Sequence, residues 1–121
     1  MEVLALSTDS IYAHKVFTEV SPSGRKVNFP LLSDRSGHVP WIYGALDPEQ
    51  GLARRVTILI DPEGRIALYL VYPLEVGRST DELLRLIRAV QFNRETGLGV
   101  PANWQPGEPG LRRDIERAGE I

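Results

Sequence analysis

The chain has 121 residues, with 14 Lys and Arg against 16 Asp and Glu and a net charge of −2. That length suits one domain with a modest core. No basic excess draws it to nucleic acid or an anionic bilayer, and no apolar run is long enough to span a membrane. Cysteine is absent, which excludes disulfides, thiolate metal ligands and any thiol nucleophile carried by these residues.

In chain order, Val3–Leu6 reads as a buried strand, followed by the N-capping cluster Ser7-Thr8-Asp9-Ser10. Ile11 to Val20 has helical spacing, with Ile11, Tyr12, Val16 and Val20 on one side, and Pro22, Ser23 and Gly24 end it. Arg25–Asn28 is a polar loop. Phe29–Leu32 is a short extended segment, because Pro30 biases Phe29 away from the α region. His38 to Tyr43 reads as a short helix in which Pro40 must fall in the first turn, and Leu46 to Ala53 as a loop.

The centre of the sequence is a hairpin. Val56–Ile60 and Ile66–Tyr72 are apolar runs, the first expected to be buried on both faces. Asp61-Pro62-Glu63-Gly64 between them is turn chemistry. Arg54 and Arg55 stand at the mouth of the first strand. Beyond the connector Pro73–Gly77, Ser79-Thr80-Asp81-Glu82 is a capping box. It opens a helix with Leu83, Leu84, Ile87 and Val90 on one face and Arg85, Arg88 and Arg94 on others, stopped by Gly97 and Gly99. Residues 1–99 are expected to form the domain. Residues 100–121 form a Pro- and Gly-rich tail that docks through Trp104, with Leu111–Arg117 as a last helical turn or two.

His14 and His38 lack ligand-like spacing, so no metal site is expected, and no cofactor is implied. His14 reads as a surface or partly buried imidazole and His38 as exposed. Trp41, Tyr43 and Trp104 read as packing residues, and Glu116 with Arg112 or Arg113 as helical ion pairing. Met1-Glu2-Val3 lacks the positive start of a signal peptide, which makes a cytoplasmic location the expectation.

The order strand, helix, strand, helix, hairpin, helix suggests a layered α/β domain. Val3–Ser10, Phe29–Asp34, Ile58–Gly64, Tyr72–Glu82 and Pro101–Gly107 together resemble successive blocks of the peroxiredoxins. These are thiol peroxidases of the alkyl hydroperoxide reductase type, and the blocks look closest to the one-cysteine and archaeal branch. The resemblance implies a truncated thioredoxin-like (peroxiredoxin) fold. It has a mixed sheet, a C-terminal β-hairpin and flanking helices, and its central strand is missing. The family's Pro-x-x-x-Thr-x-x-Cys loop, with the peroxidatic cysteine, is expected to lie before the start of this sequence. Val100 stands where many members place a resolving cysteine.

The resemblance also implies roles for two arginines. Arg55 matches the catalytic arginine that precedes the hairpin strand, and Arg78 a second, substrate-binding one. By itself Arg55 reads as a solvated strand-end charge, and Arg78 reads equally as a loop charge with no role. Without the central strand, the Val3–Leu6 and Val56–Ile60 strands are expected to leave unpaired edges, at a cost of roughly 1–3 kcal/mol for each buried unpaired group. The strands then close up, or a second copy fills the slot, or a separate N-terminal half does. Members also commonly dimerise through the strand equivalent to Ile66–Val71. Expected partners are therefore a further copy of the chain, as a homodimer or larger homo-oligomer, or an N-terminal peroxiredoxin half. Two function classes stay open: one half of a split peroxidase, or a non-catalytic oligomeric or partner-binding scaffold.

Overall fold

The computed structural model describes residues 1–119. The chain divides into two compact units that share the central hairpin. One holds residues 1–57 and 70–74, and the other residues 58–69 and the chain from Glu75 onward.

In the first unit, β1 (Ala5–Ser7) pairs in parallel with β2 (Leu31–Ser33), with Ala5 opposite Leu31 and Ser7 opposite Ser33. β1 starts later than the apolar run suggests, and Val3 and Leu4 are exposed. Helix α1 (Ile11–Val20) matches its expected bounds because Ser10 caps it, its Oγ accepting the Ala13 N–H at 3.2 Å. The expected polar loop closes instead into a 3-10 turn, Gly24–Lys26, under the end of α1. Gly24 is buried there, and a Cβ on it would collide with the Phe17 carbonyl oxygen.

Helix α2 (His38–Ile42) is five residues long, with Pro40 in its first turn. Asp34 supplies the cap that the sequence does not place at Gly37: its Oδ2 accepts the Val39 N–H at 2.7 Å. The segment expected as a loop contains a small antiparallel pair, β3 (Leu46–Asp47) and β4 (Leu52–Ala53). Its turn is held by Asp47 Oδ1, which accepts the N–H groups of Glu49 and Gln50 at 3.0 and 3.2 Å. Pro40 and Ala45 are buried in this unit. Trp41, expected to pack, is 65% exposed.

The hairpin consists of β5 (Arg55–Ile60) and β6 (Ile66–Tyr72), which form a separate two-stranded sheet. Its turn follows the sequence. Asp61 Oδ1 accepts the N–H groups of Glu63 at 3.0 Å and Arg65 at 2.8 Å, and Gly64 takes φ +79°. Burial on both faces of β5 is not found. Its residues are half-buried as far as Leu59, and β6 alternates between exposed and half-buried. The strands of the described residues form three two-stranded sheets, so β5 has β6 as its one sheet neighbour.

In the second unit, α3 runs from Thr80 to Thr96. Ser79 Oγ accepts the Glu82 N–H at 3.3 Å, and Gly97 ends the helix at φ +71°. The capping box is only half made, because the Glu82 carboxylate turns forward to Arg85 at 2.6 and 2.9 Å. The tail folds back on α3. Gly99 and Leu111 exchange two backbone hydrogen bonds of 2.7 and 2.8 Å. Trp104 is 3% exposed, lies 5.0 Å from the Phe92 ring, and donates Nε1–H to the Glu108 carbonyl at 2.9 Å. A 3-10 turn at Ile115–Arg117 stands where a helical turn is expected.

Candidate functional site

The backbone sets Arg55 apart from Arg54. Arg54 N–H donates to the Ala45 carbonyl at 2.6 Å, and the Arg54 carbonyl accepts the Val56 N–H at 2.9 Å. This break separates β4 from β5 and makes Arg55 the first residue of the longer strand. Arg54 is exposed and Arg55 half-buried. A partly desolvated guanidinium at a strand end is chemically suited to hold an anionic oxygen with directed N–H donors.

Arg78 is exposed and directly precedes Ser79, the N-cap of α3, so the cap fixes its backbone. Arg55 belongs to the first unit and Arg78 to the second, and neither residue is without a partner.

The histidines take the places expected of them. His38 is exposed, and His14 is half-buried with Nε2 2.7 Å from Ser7 Oγ. His14 Nδ1 is buried without a hydrogen-bond partner. Among the described residues no group of three or more His, Asp or Glu is arranged to hold a metal ion.

Three carboxylates are held below their usual range, each by local hydrogen bonds. The Ser36 hydroxyl, then the Val39 N–H, does this for Asp34. The Arg65 N–H is the main cause at Asp61, with Arg94 adding charge. At Glu82 it is the Arg85 guanidinium, whose own pKa is raised by the same contact.

The sequence reading places Arg85 and Arg94 on outer helix faces, and it misses what they hold. Arg85 Nη1 donates to the Trp104 carbonyl at 3.3 Å, which ties α3 to the tail. Arg94 reaches Asp61 and Glu63 at the hairpin turn. The Glu82–Arg85 spacing of three is a sequence signal for the first contact. The second joins residues far apart in sequence and leaves no such signal. No ion pair joins Glu116 to Arg112 or Arg113 among the described residues.

The parallel β1–β2 pair, the β5–β6 hairpin and the helices make a small α/β architecture of thioredoxin-like type. The family model for the AhpC/TSA family matches residues 1–69, and that for the C-terminal domain of 1-Cys peroxiredoxin matches residues 89–118. Peroxiredoxin 2 of Thermoplasma acidophilum is 38% identical, over 92% of this chain and 57% of its own length. A selenocysteine-containing peroxiredoxin of Peptoclostridium acidaminophilum is 44% identical, over 93% of this chain and 58% of its own length. The crystal structure of the reduced 2-Cys peroxiredoxin of Plasmodium vivax superposes with a TM-score of 0.85 at 35% identity, covering 95% of this chain and 61% of that one. The chain belongs to the peroxiredoxin family, in its AhpC/TSA group. It spans less than two thirds of the length of these relatives. No helix among the described residues is long and apolar enough to cross a membrane.

Proposed function

We propose that this chain contributes the arginine side of a peroxiredoxin site, and that these 121 residues alone reduce no peroxide. The observation that carries this reading is the half-buried Arg55 at the start of β5 in a chain of this family without a cysteine. In the family chemistry, a cysteine thiolate attacks one peroxide oxygen. The O–O bond breaks, sulfur becomes a sulfenic acid, and the other oxygen takes a proton and leaves as water or an alcohol. Serine and threonine do not support that step. Here the thiolate comes from sequence outside these residues, on the same polypeptide or another. Arg55 favours the thiolate over the thiol and bonds the peroxide oxygens, and Arg78 supports substrate binding. Hydrogen peroxide and alkyl hydroperoxides are the substrate class, and the cytoplasm is the proposed location.

The exposed apolar faces favour a second reading, a non-catalytic oligomeric or partner-binding scaffold. Ile11, Tyr12, Val16, Phe17 and Val20 of α1 are 44–76% exposed, and α1 contains no buried residue. Light scattering tests both readings when combined with a peroxide assay, with and without a recombinant segment carrying Pro-x-x-x-Thr-x-x-Cys. Association with peroxide consumption supports the first. A stable homo-oligomer that ignores the added segment overturns it in favour of the second.

A further inference from the structure

The second unit contains a groove of about 380 Å³ that the peroxidase reading does not use. Its floor is apolar: Ala67 of β6, Leu86, Ala89 and Val90 of α3, and Val100 of the tail. Small residues leave it open, since Ala67 and Ala89 stand where larger side chains would fill the space. Asn93, Arg94 and Arg113 supply its polar rim.

Charge separates the two arginines. Arg94 is already matched by Asp61 and Glu63. Arg113 makes no hydrogen bond or ion pair among the described residues. Its side chain is exposed and lies against the bridge that closes the tail. The Gly99–Leu111 bridge turns the tail back over α3, and Arg113 Nε lies 3.4 Å from where a Cβ on Gly99 would stand. Asn93 Nδ2 is committed to the Leu98 carbonyl at 2.7 Å, which braces the same corner.

We propose that this groove binds an aliphatic carboxylate, its chain lying on the Ala67–Val90–Val100 floor and its head group paired with Arg113. An unmatched guanidinium beside an apolar trough selects an anion that also has a chain to bury. The volume lies near the lower end of small-molecule sites and suits a medium-length chain.

Isothermal titration of the full chain with octanoate, 1-octanol and acetate tests this. Octanoate saturates one site, 1-octanol binds about tenfold more weakly, and acetate shows no saturation. Arg113→Gln brings octanoate down to the 1-octanol level. Ala67→Leu, at an exposed strand position, weakens both ligands at least about fivefold by filling the floor. Melting curves of both variants establish that each is folded. Three results would each overturn the proposal: no saturable octanoate binding, affinity unchanged in folded Arg113→Gln, or acetate binding as well as octanoate.

Discussion

The Arg94 guanidinium brackets the hairpin turn through Glu63: Nη2 meets the two Glu63 oxygens at 2.8 and 2.7 Å, while Nη1 reaches Asp61 Oδ2 at 3.3 Å. The last turn of α3 is thereby fastened to the Asp61-Pro62-Glu63-Gly64 turn. Both members of the Arg94–Glu63 pair are partly open to solvent, with side chains 38% and 50% exposed. A double-mutant cycle of Arg94→Ala and Glu63→Ala, followed by urea unfolding, is expected to give a coupling of about 0.5–1 kcal/mol that shrinks in high salt. A salt-independent coupling would contradict a solvent-screened ion pair.

Gly110 is the tightest point of the tail's return. A Cβ there would stand 2.7 Å from both Leu98 Cβ and Phe92 Cε1, and 3.0 Å from the Gly99 carbonyl oxygen. Phe92 also carries the Trp104 ring, so a push at Gly110 reaches the indole. Gly110→Ala is expected to cost about 1–3 kcal/mol and to shift Trp104 emission to longer wavelength. Gly77→Ala is the control, because a Cβ there meets nothing within 4 Å. Equal melting temperatures for the two variants would refute the close approach.

The indole itself is the second test of the tail. Trp104 is buried, with its Nε1–H committed to the Glu108 carbonyl. Trp104→Phe keeps most of the apolar volume and loses that bond, for an expected cost of about 1–2 kcal/mol. Trp104→Ala also opens a cavity and is expected to cost about 3–5 kcal/mol. If hydrogen exchange at Gly99 and Leu111 stays as slow in Trp104→Ala as in the parent, the tail docks without the indole.

Asp34, Asp61 and Glu82 are expected to contribute to the acid limit of the fold. Each has a folded-state pKa below its usual value. The stability each contributes is therefore fully present above the unfolded-state pKa and is lost as pH falls through the folded one. Circular dichroism is expected to show a stable plateau above about pH 5 and a decline below about pH 4. Asp34→Asn, which loses the carboxylate that caps α2, flattens part of that decline. A profile that rises on acidification would reverse the sign and refute the assignment.

What the sequence revealed divides along physical lines. Ser10, Ser79 and Gly97 mark helix ends because a cap is a local bond between neighbouring residues, and both long helices have their expected bounds. Asp61 and Gly64 reveal their turn for the same reason. The β3–β4 pair was hidden because two residues cannot display a period. Burial was over-read at β5 and Trp41, since an apolar residue is buried only where something covers it, and β5 has one sheet neighbour. Glu82 illustrates a competition: the box pattern predicts a bond backward to the cap, and Arg85, three residues on, wins the carboxylate. At the candidate site, the position of Arg55 at the strand mouth was legible. The break that makes it the first residue of β5, marked by the Arg54–Ala45 and Val56–Arg54 bonds, was not.

The two arginines predict different kinetic losses once a cysteine-bearing segment is supplied. On the proposed reading, the N–H donors of half-buried Arg55 act on the reacting oxygens and on the thiolate with less competition from water than those of an exposed cation. Arg55→Ala is expected to lower peroxide kcat/KM by about 10²–10³-fold and to raise the pH at which the thiol ionises. Arg55→Lys keeps the charge but not the directed pair of donors, and restores only part of the rate. Arg78 is exposed, and water competes for its charge. Arg78→Ala is expected to cost about tenfold or less, mainly through KM. Stopped-flow peroxide consumption across a pH series separates the outcomes. Equal losses at the two positions, or an unchanged thiol ionisation in Arg55→Ala, would remove Arg55 from the reacting centre.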